Sequence, residues 1–209
     1  IGGAEEKLNE PQILRRFDQP GAAIAAVKDG KVVFQQGWGL RNTNGTAKID
    51  EHTQFQVASN SKAMTAAALA ILVEDGKLGW DDRLIDRLPW FRLGGDPYIT
   101  REFRVRDLLS HRSGLSLGQG DLLIFGSNYS SREIAERLRF LKPPNGFRAG
   151  YAYDTVPYIV AGELVEAVSG MPWEDFVTQR IMFLLGMGES APAIARIDPA
   201  GNVASPHDR

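Results

Sequence analysis

Apolar residues follow two different rhythms along this chain, and each predicts its own kind of element. From Ala22 to Lys28 the sequence is apolar almost throughout, and from Lys31 to Trp38 it is rich in Val and Phe. Asp29-Gly30 lies between the two runs and is a strong two-residue hairpin signal, so two antiparallel strands are expected. Strands apolar on both faces want cover on both sides, and a lone hairpin is marginal in water. From about Ser61 to Asp75 the spacing becomes helical. Met64, Ala67, Ala68, Ile71 and Leu72 fall on one face, and Gly76 ends the helix.

Weaker signals fill in the rest. Pro11 sits where a first-turn helix proline belongs, with Asn9 as its cap; Ile13, Leu14 and Phe17 then face inward and Pro20-Gly21 stops the helix. Leu84 to Leu93 reads as a short irregular segment, and Val105 to Ser110 as a short helical piece. Gly114 to Asn128 carries four glycines and little periodicity, which predicts a long loop. Ser130 with Glu133 forms a capping box before a helix to about Leu141, and Lys142-Pro143-Pro144-Asn145-Gly146 breaks it. Pro157 to Ser169 is a helix with Ala161, Leu164, Val165 and Val168 inward. Pro172 starts another that ends near Leu184, and the chain beyond Gly188 is loop-like. Internal repeats and low-complexity tracts are absent from the sequence.

Composition narrows the function classes. Of the 209 residues 43% are hydrophobic, so a packed core is expected. The 24 basic and 26 acidic residues are intermingled and the formal charge is −2, which leaves no basic field for nucleic acid or an anionic membrane. The sequence has no cysteine, which excludes disulfides, thiolate catalysis and cysteine metal sites and suits an oxidising compartment. The longest apolar run, Ala66 to Val73, is far too short to span a bilayer. The start at Ile1-Gly2-Gly3 is what a cleaved export signal or a trimmed chain would leave.

Candidate chemistry centres on Ser59-Asn60-Ser61-Lys62 at the head of the long helix. A hydroxyl and an amine three residues apart share a helix face, one turn from each other. The bare pattern is common, so its context decides. At a helix start, free backbone N–H groups and the positive dipole end favour an anion. Alanine-rich sequence after Lys62 points its stem into packed surroundings, where partial burial makes an amine a better proton acceptor.

With that motif in place the chain resembles the serine β-lactamase and penicillin-binding-protein superfamily, on its class C, D-alanyl-D-alanine carboxypeptidase and esterase side. The resemblance is carried by the hairpin from Ala22 to Lys31, by Phe55 to Lys62, by Leu108-Leu109-Ser110-His111-Arg112-Ser113-Gly114-Leu115, by Tyr153 through Gly162, and by Ile181 to Met187. It implies an α+β fold, an antiparallel sheet with a helical lobe. It also implies a serine hydrolase without metal or organic cofactor, acting through an acyl-enzyme on β-lactams, D-alanyl peptides or small esters. Ser59 would be the nucleophile and Lys62 its neighbour. Tyr153 would be the phenolate-like base, with the Ser59 N–H as half of the oxyanion hole. A phenol ordinarily titrates near ~10, so it serves near neutral pH only beside a cation such as Lys62. An exported or periplasmic location is expected by resemblance alone.

Two departures qualify what the resemblance implies. The family's Tyr-x-Asn reads here as Tyr153-Asp154-Thr155, so Thr155, in the substrate-binding position, keeps a hydroxyl and loses an amide. That weakens amide or β-lactam turnover more than ester cleavage, and it makes a catalytically weakened binding or assembly protein the alternative. The family's third motif, Lys or His, any residue, Gly, is missing after Tyr153; Lys28-Asp29-Gly30 is the hairpin turn and Lys77-Leu78-Gly79 precedes the tyrosine. The late strands and C-terminal helix are missing too. Residues 1–209 are therefore expected to be the N-terminal part of one domain, its remainder supplied elsewhere, as a second chain or a cleaved portion.

Rival sites are weaker. Gly114-Leu115-Ser116-Leu117-Gly118 matches the G-x-S-x-G nucleophile elbow, with His207 downstream and Asp154, Asp175 or Asp198 between them. The elbow needs a strand directly before and a helix directly after, whereas a short helix and a turn precede Ser116 and glycines follow it. An α/β-hydrolase-type esterase using Ser116 is thus the second alternative. His52 and His207 read as surface residues, His111 as a turn holder and Tyr98 as ordinary packing. Zinc-ligand spacing is absent.

Overall fold

The computed structural model describes residues 10–207 and divides into two compact units. One comprises the chain up to Ala58 together with the chain from Glu189 onward; the other is Ser59–Gly188. Asn9, the expected cap of the first helix, lies outside the described residues.

The first unit opens with α1 (Glu10–Phe17), followed by β1 (Gly21–Lys28) and β2 (Lys31–Gly39). The strands pair antiparallel, Gly21 opposite Gly39 and Lys28 opposite Lys31. Asp29 and Gly30 both take left-handed conformations, with φ of 51° and 73°, as a primed hairpin turn requires. A bulge shifts the register between Ala26 and Val27. Ala26 faces Phe34 and Val27 faces Val32, which leaves Val33 as the extra residue. Gly39 is tied to its place: its φ is 77°, and a Cβ there would run into the backbone of Pro20 and Gly21.

Among the described residues these two strands are the whole sheet. Toward the turn both faces remain open, with Ile24, Val27, Val32 and Val33 all exposed, whereas Trp38 at the far end of β2 is buried. Phe17 departs from expectation: it is 58% exposed rather than inward. The helix ends there, and Asp18 with a φ of 51° turns the chain.

The returning segment is stitched on by polar contacts. Asn202 Nδ2 donates to Asp50 Oδ1 at 2.7 Å and Thr53 Oγ1 donates to Asn202 Oδ1 at 2.8 Å. Gln54 and Val203 form a short parallel bridge. His52 meets Glu189 at the surface at 2.8 Å, and His207 Nε2 accepts from the Thr43 N–H, so both histidines lie at the surface as expected.

The second unit is helical: α2 (Ser61–Glu74), α3 (Leu84–Arg87), α4 (Pro97–Glu102), α5 (Leu122–Phe125), α6 (Ser131–Arg137), α7 (Val156–Ser169) and α8 (Trp173–Val177). A 3-10 turn covers Val105–Leu109, another continues α6 over Leu138–Phe140, and a π-helical turn continues α8 over Thr178–Met182. The core lies where α2 and α6 pack on α7 and where α7 meets α8. Leu69, Leu72, Leu164, Val165 and Phe176 are buried there, and Phe91, Phe103 and Phe147 form a ladder of rings with centroids 5.3 and 5.5 Å apart.

The expected caps are present. Ser130 and Glu133 exchange their capping-box hydrogen bonds, and Gly76, with a φ of 69°, closes α2. Gly114 to Asn128 is not wholly irregular, because Leu122–Phe125 folds as α5. Tyr98 stands half-exposed on α4 with the Arg101 guanidinium 5.4 Å from its ring. No described helix is long and apolar enough to cross a membrane.

Candidate active site

Ser59 sits in the 3-10 turn Ala58–Asn60 that leads directly into α2, behind Ala58 in a left-handed conformation with φ of 43°. A non-glycine residue in that region is strained, and such strain is concentrated at functional positions. One turn on, the half-buried Lys62 donates from Nζ to Ser59 Oγ at 3.1 Å. The three-residue spacing makes this contact local to the turn that enters α2.

Tyr153 arrives from 94 positions downstream of Ser59 in sequence but shares the cluster. Lys62 Nζ is 4.8 Å from its ring centroid and 5.5 Å from that of Tyr158. The Tyr153 phenol is held below its ordinary value. The hydrogen bond to Lys62 is the main cause and the one to Ser59 the next, opposed by burial and by the Asp121 carboxylate. The backbone pins this segment on both sides. Ala152 N–H donates to His111 O at 2.9 Å, and Gly118 N–H donates to Tyr153 O at 3.0 Å.

Ser59, Lys62 and Tyr153 are thus brought together. Thr155 lies two residues on, half-buried at the head of α7, where its carbonyl accepts from Tyr158 N–H at 3.0 Å. Ser116 occupies a different setting. Its N–H donates to Gln119 Oε1 and its carbonyl accepts from Gln119 N–H, so it opens a tight turn, with no strand before it and no helix directly after. The elbow geometry is therefore lacking, and His207 belongs to the other unit.

The contacts of three polar groups escaped sequence reasoning. Asp154 is fully buried; it accepts from Ser113 Oγ at 2.5 Å and faces His111 Nδ1 at 3.1 Å. Ser113 Oγ in turn accepts from Leu115 N–H at 3.1 Å. Asp107 accepts from Arg148 along one edge of the guanidinium, Nε to Oδ1 at 2.9 Å and Nη2 to Oδ2 at 2.5 Å, and it also accepts from Arg104 N–H. This fork sets the segment that ends in Tyr153 beside the segment that ends in Ser113. The one local trace was the alternation of His111 and Ser113 around Arg112, which sends both polar side chains to one carboxylate. Among the described residues no group of three or more His, Asp or Glu side chains could hold a metal ion.

Chemically, the cluster offers a hydroxyl at a helix head, an amine bonded to it and a phenol whose anion that amine favours. The Beta-lactamase family model matches residues 11–209. Penicillin-binding protein 4* of Bacillus subtilis (strain 168) is 28% identical over 192 residues, which are 87% of this chain and 40% of that protein. The unguisins hydrolase ungD of Aspergillus violaceofuscus is 28% identical over 188 residues, 86% of this chain and 32% of that protein. An octameric penicillin-binding protein homologue from Pyrococcus abyssi superposes with a TM-score of 0.74 at 27% identity, covering 91% of this chain and 44% of that one. The chain thus spans less than half the length of each of these proteins.

Proposed function

The chain belongs to the beta-lactamase family, and from that premise we propose that it carries the nucleophile of a serine hydrolase working through an acyl-enzyme. The observation that carries this is the Lys62 amine bonded to Ser59 Oγ while it also draws down the Tyr153 phenol. Ser59 attacks the substrate carbonyl as Tyr153, in its phenolate form, takes the hydroxyl proton. Lys62 remains the cation that makes the phenolate accessible. The Ser59 N–H at the helix head supplies one donor to the developing oxyanion. When the tetrahedral intermediate collapses, the bond to the leaving amine or alcohol breaks and Tyr153 passes its proton to that group. Water then attacks the ester and yields a proton to Tyr153, and Ser59 leaves with it.

Substrates are β-lactams, D-alanyl peptides or small carboxylic esters. Thr155 favours the esters, since a single hydroxyl replaces the amide that would hold a substrate amide. Treatment with a fluorescent penicillin and with a fluorophosphonate tests the proposal. One equivalent of covalent adduct is expected, on Ser59, and none in Ser59→Ala. A folded, complete domain that takes up neither probe would instead be a binding or assembly protein.

The same proposal makes these residues the front part of one hydrolase domain. Support comes from the open faces of the hairpin and from the relatives' greater length. Intact mass of protein from its natural source is expected to reveal further residues or a tightly held second chain. A single species of 23.0 kDa, folded and active alone, would refute this.

A further inference from the structure

His111 lies against Tyr153 more closely than holding a turn requires. The two rings stack with centroids 4.5 Å apart and planes 28° apart. Tyr158 lies 5.4 Å from the imidazole on one side, and Tyr151 meets it edge-on at 5.6 Å. Tyr158 is itself fixed, its hydroxyl donating to Leu109 O at 3.0 Å. The imidazole cannot swing away. Its Nδ1 is 3.1 Å from the Asp154 carboxylate and 3.2 Å from the Asp154 backbone nitrogen. Asp154 is held in turn by Ser113 and Ser113 by the Leu115 N–H, all in buried surroundings. A chain of contacts therefore runs from a backbone amide to the face of the Tyr153 ring.

We propose that His111, clamped by Asp154, is a positioning residue that fixes the plane of the Tyr153 ring and so delivers the phenol oxygen to the Lys62 amine and the Ser59 hydroxyl. This rests on the hydrolase reading above for its consequence, though not for its geometry. The backbone bonds at Ala152 and Tyr153 fix where the residue starts and leave its side-chain torsions free. Stacking on a locked imidazole removes that freedom, and a reacting group misplaced by about 1 Å loses about a hundredfold in rate. It also accounts for an acidic residue directly after the tyrosine: the Asp154 carboxylate holds the imidazole through Nδ1 and leaves its face to the phenol.

The test reads the phenol directly. The ionisable and charged groups around it are Lys62 on α2, Asp121 ahead of α5, Tyr158 on α7, and His111, Tyr151 and Asp154 from the two loops. In a near-ultraviolet titration of the full chain, one of the five tyrosines ionises ahead of the rest, and Tyr153→Phe removes that step. His111→Asn keeps a polar partner for Asp154 but offers no ring. It is expected to move the early step upward toward the other tyrosines and to slow fluorophosphonate acylation about a hundredfold. The half-saturating probe concentration and the melting temperature stay close to those of the parent. His111→Ala should do the same where it folds. An early step that His111→Asn leaves in place, or a parent protein without one, overturns the proposal. A step that shifts in a protein no probe labels upholds the placement of the ring and removes the hydrolase reading instead.

Discussion

Replacing Lys62 with methionine should slow acylation of Ser59 about a thousandfold near neutral pH, because the substitution removes both a cation and a hydrogen-bond donor from the cluster. Methionine keeps an unbranched stem that lacks only the terminal amine, so the loss is chiefly chemical. The pH dependence separates the two contributions. Tyr153 sits below its ordinary value chiefly because of Lys62. In the parent, acylation should climb with pH and level off once the phenol ionises. Without Lys62 the help from Ser59 remains, while burial and Asp121 push the other way, so the inflection moves up toward or beyond the ordinary phenol value near ~10. The deficit is therefore largest on the acid side and narrows as the solution turns alkaline. Stopped-flow acylation rates across pH decide the matter. A deficit constant with pH would mean that Lys62 does not govern Tyr153.

The largest effect on stability is expected from Arg148→Ala. Asp107 is almost fully buried, and the planar guanidinium meets both of its carboxylate oxygens. Arg148 is held above its ordinary value by that same carboxylate. Removing it strands an anion inside the protein with only the Arg104 N–H for company. Breaking a buried pair costs about 3–5 kcal/mol. The Arg148 side chain is 37% exposed, so solvent takes up part of the loss and the lower end, about 3 kcal/mol, is expected. In a chain of this size that lowers the melting temperature by roughly 6–12 °C. Arg148→Lys should rescue little, since an ammonium cannot make the paired contacts. Adding Asp107→Ala to Arg148→Ala should restore part of the loss. An unchanged melting temperature for Arg148→Ala alone would show that water already serves the carboxylate.

What was legible in the sequence was local. Asp29-Gly30 announces its turn because only certain residues tolerate left-handed backbone, and Ser130 with Glu133 announces a helix start because both partners lie within one turn. Ser59 and Lys62 are legible for the same reason. Tyr153 lies 94 positions from Ser59 and was reached through family resemblance; nothing in its own neighbourhood says that it meets an amine. The Asp154 cluster and the Arg148 fork were missed because their contacts join residues about 40 apart, a separation that periodicity does not encode. Local rules also failed in two small ways. Leu122–Phe125 is too short to show a period, and Leu69 was passed over because α2 is apolar nearly all round, so its buried side cannot be told from its spacing.

The two strands of the hairpin carry a single pair of charges, Lys28 and Lys31, facing each other beside the turn. Apart from Asp29 in the turn the rest of the ribbon is neutral and rich in small or branched apolar side chains, and among the described residues no third strand pairs with it. Such a strip recruits other strands edge to edge. Chains in which it stays bare should therefore draw holdase chaperones in the cell and stack into fibrous aggregates when concentrated. The two lysines then act as gatekeepers, and neutralising them should be the quickest way to lose the protein to precipitation.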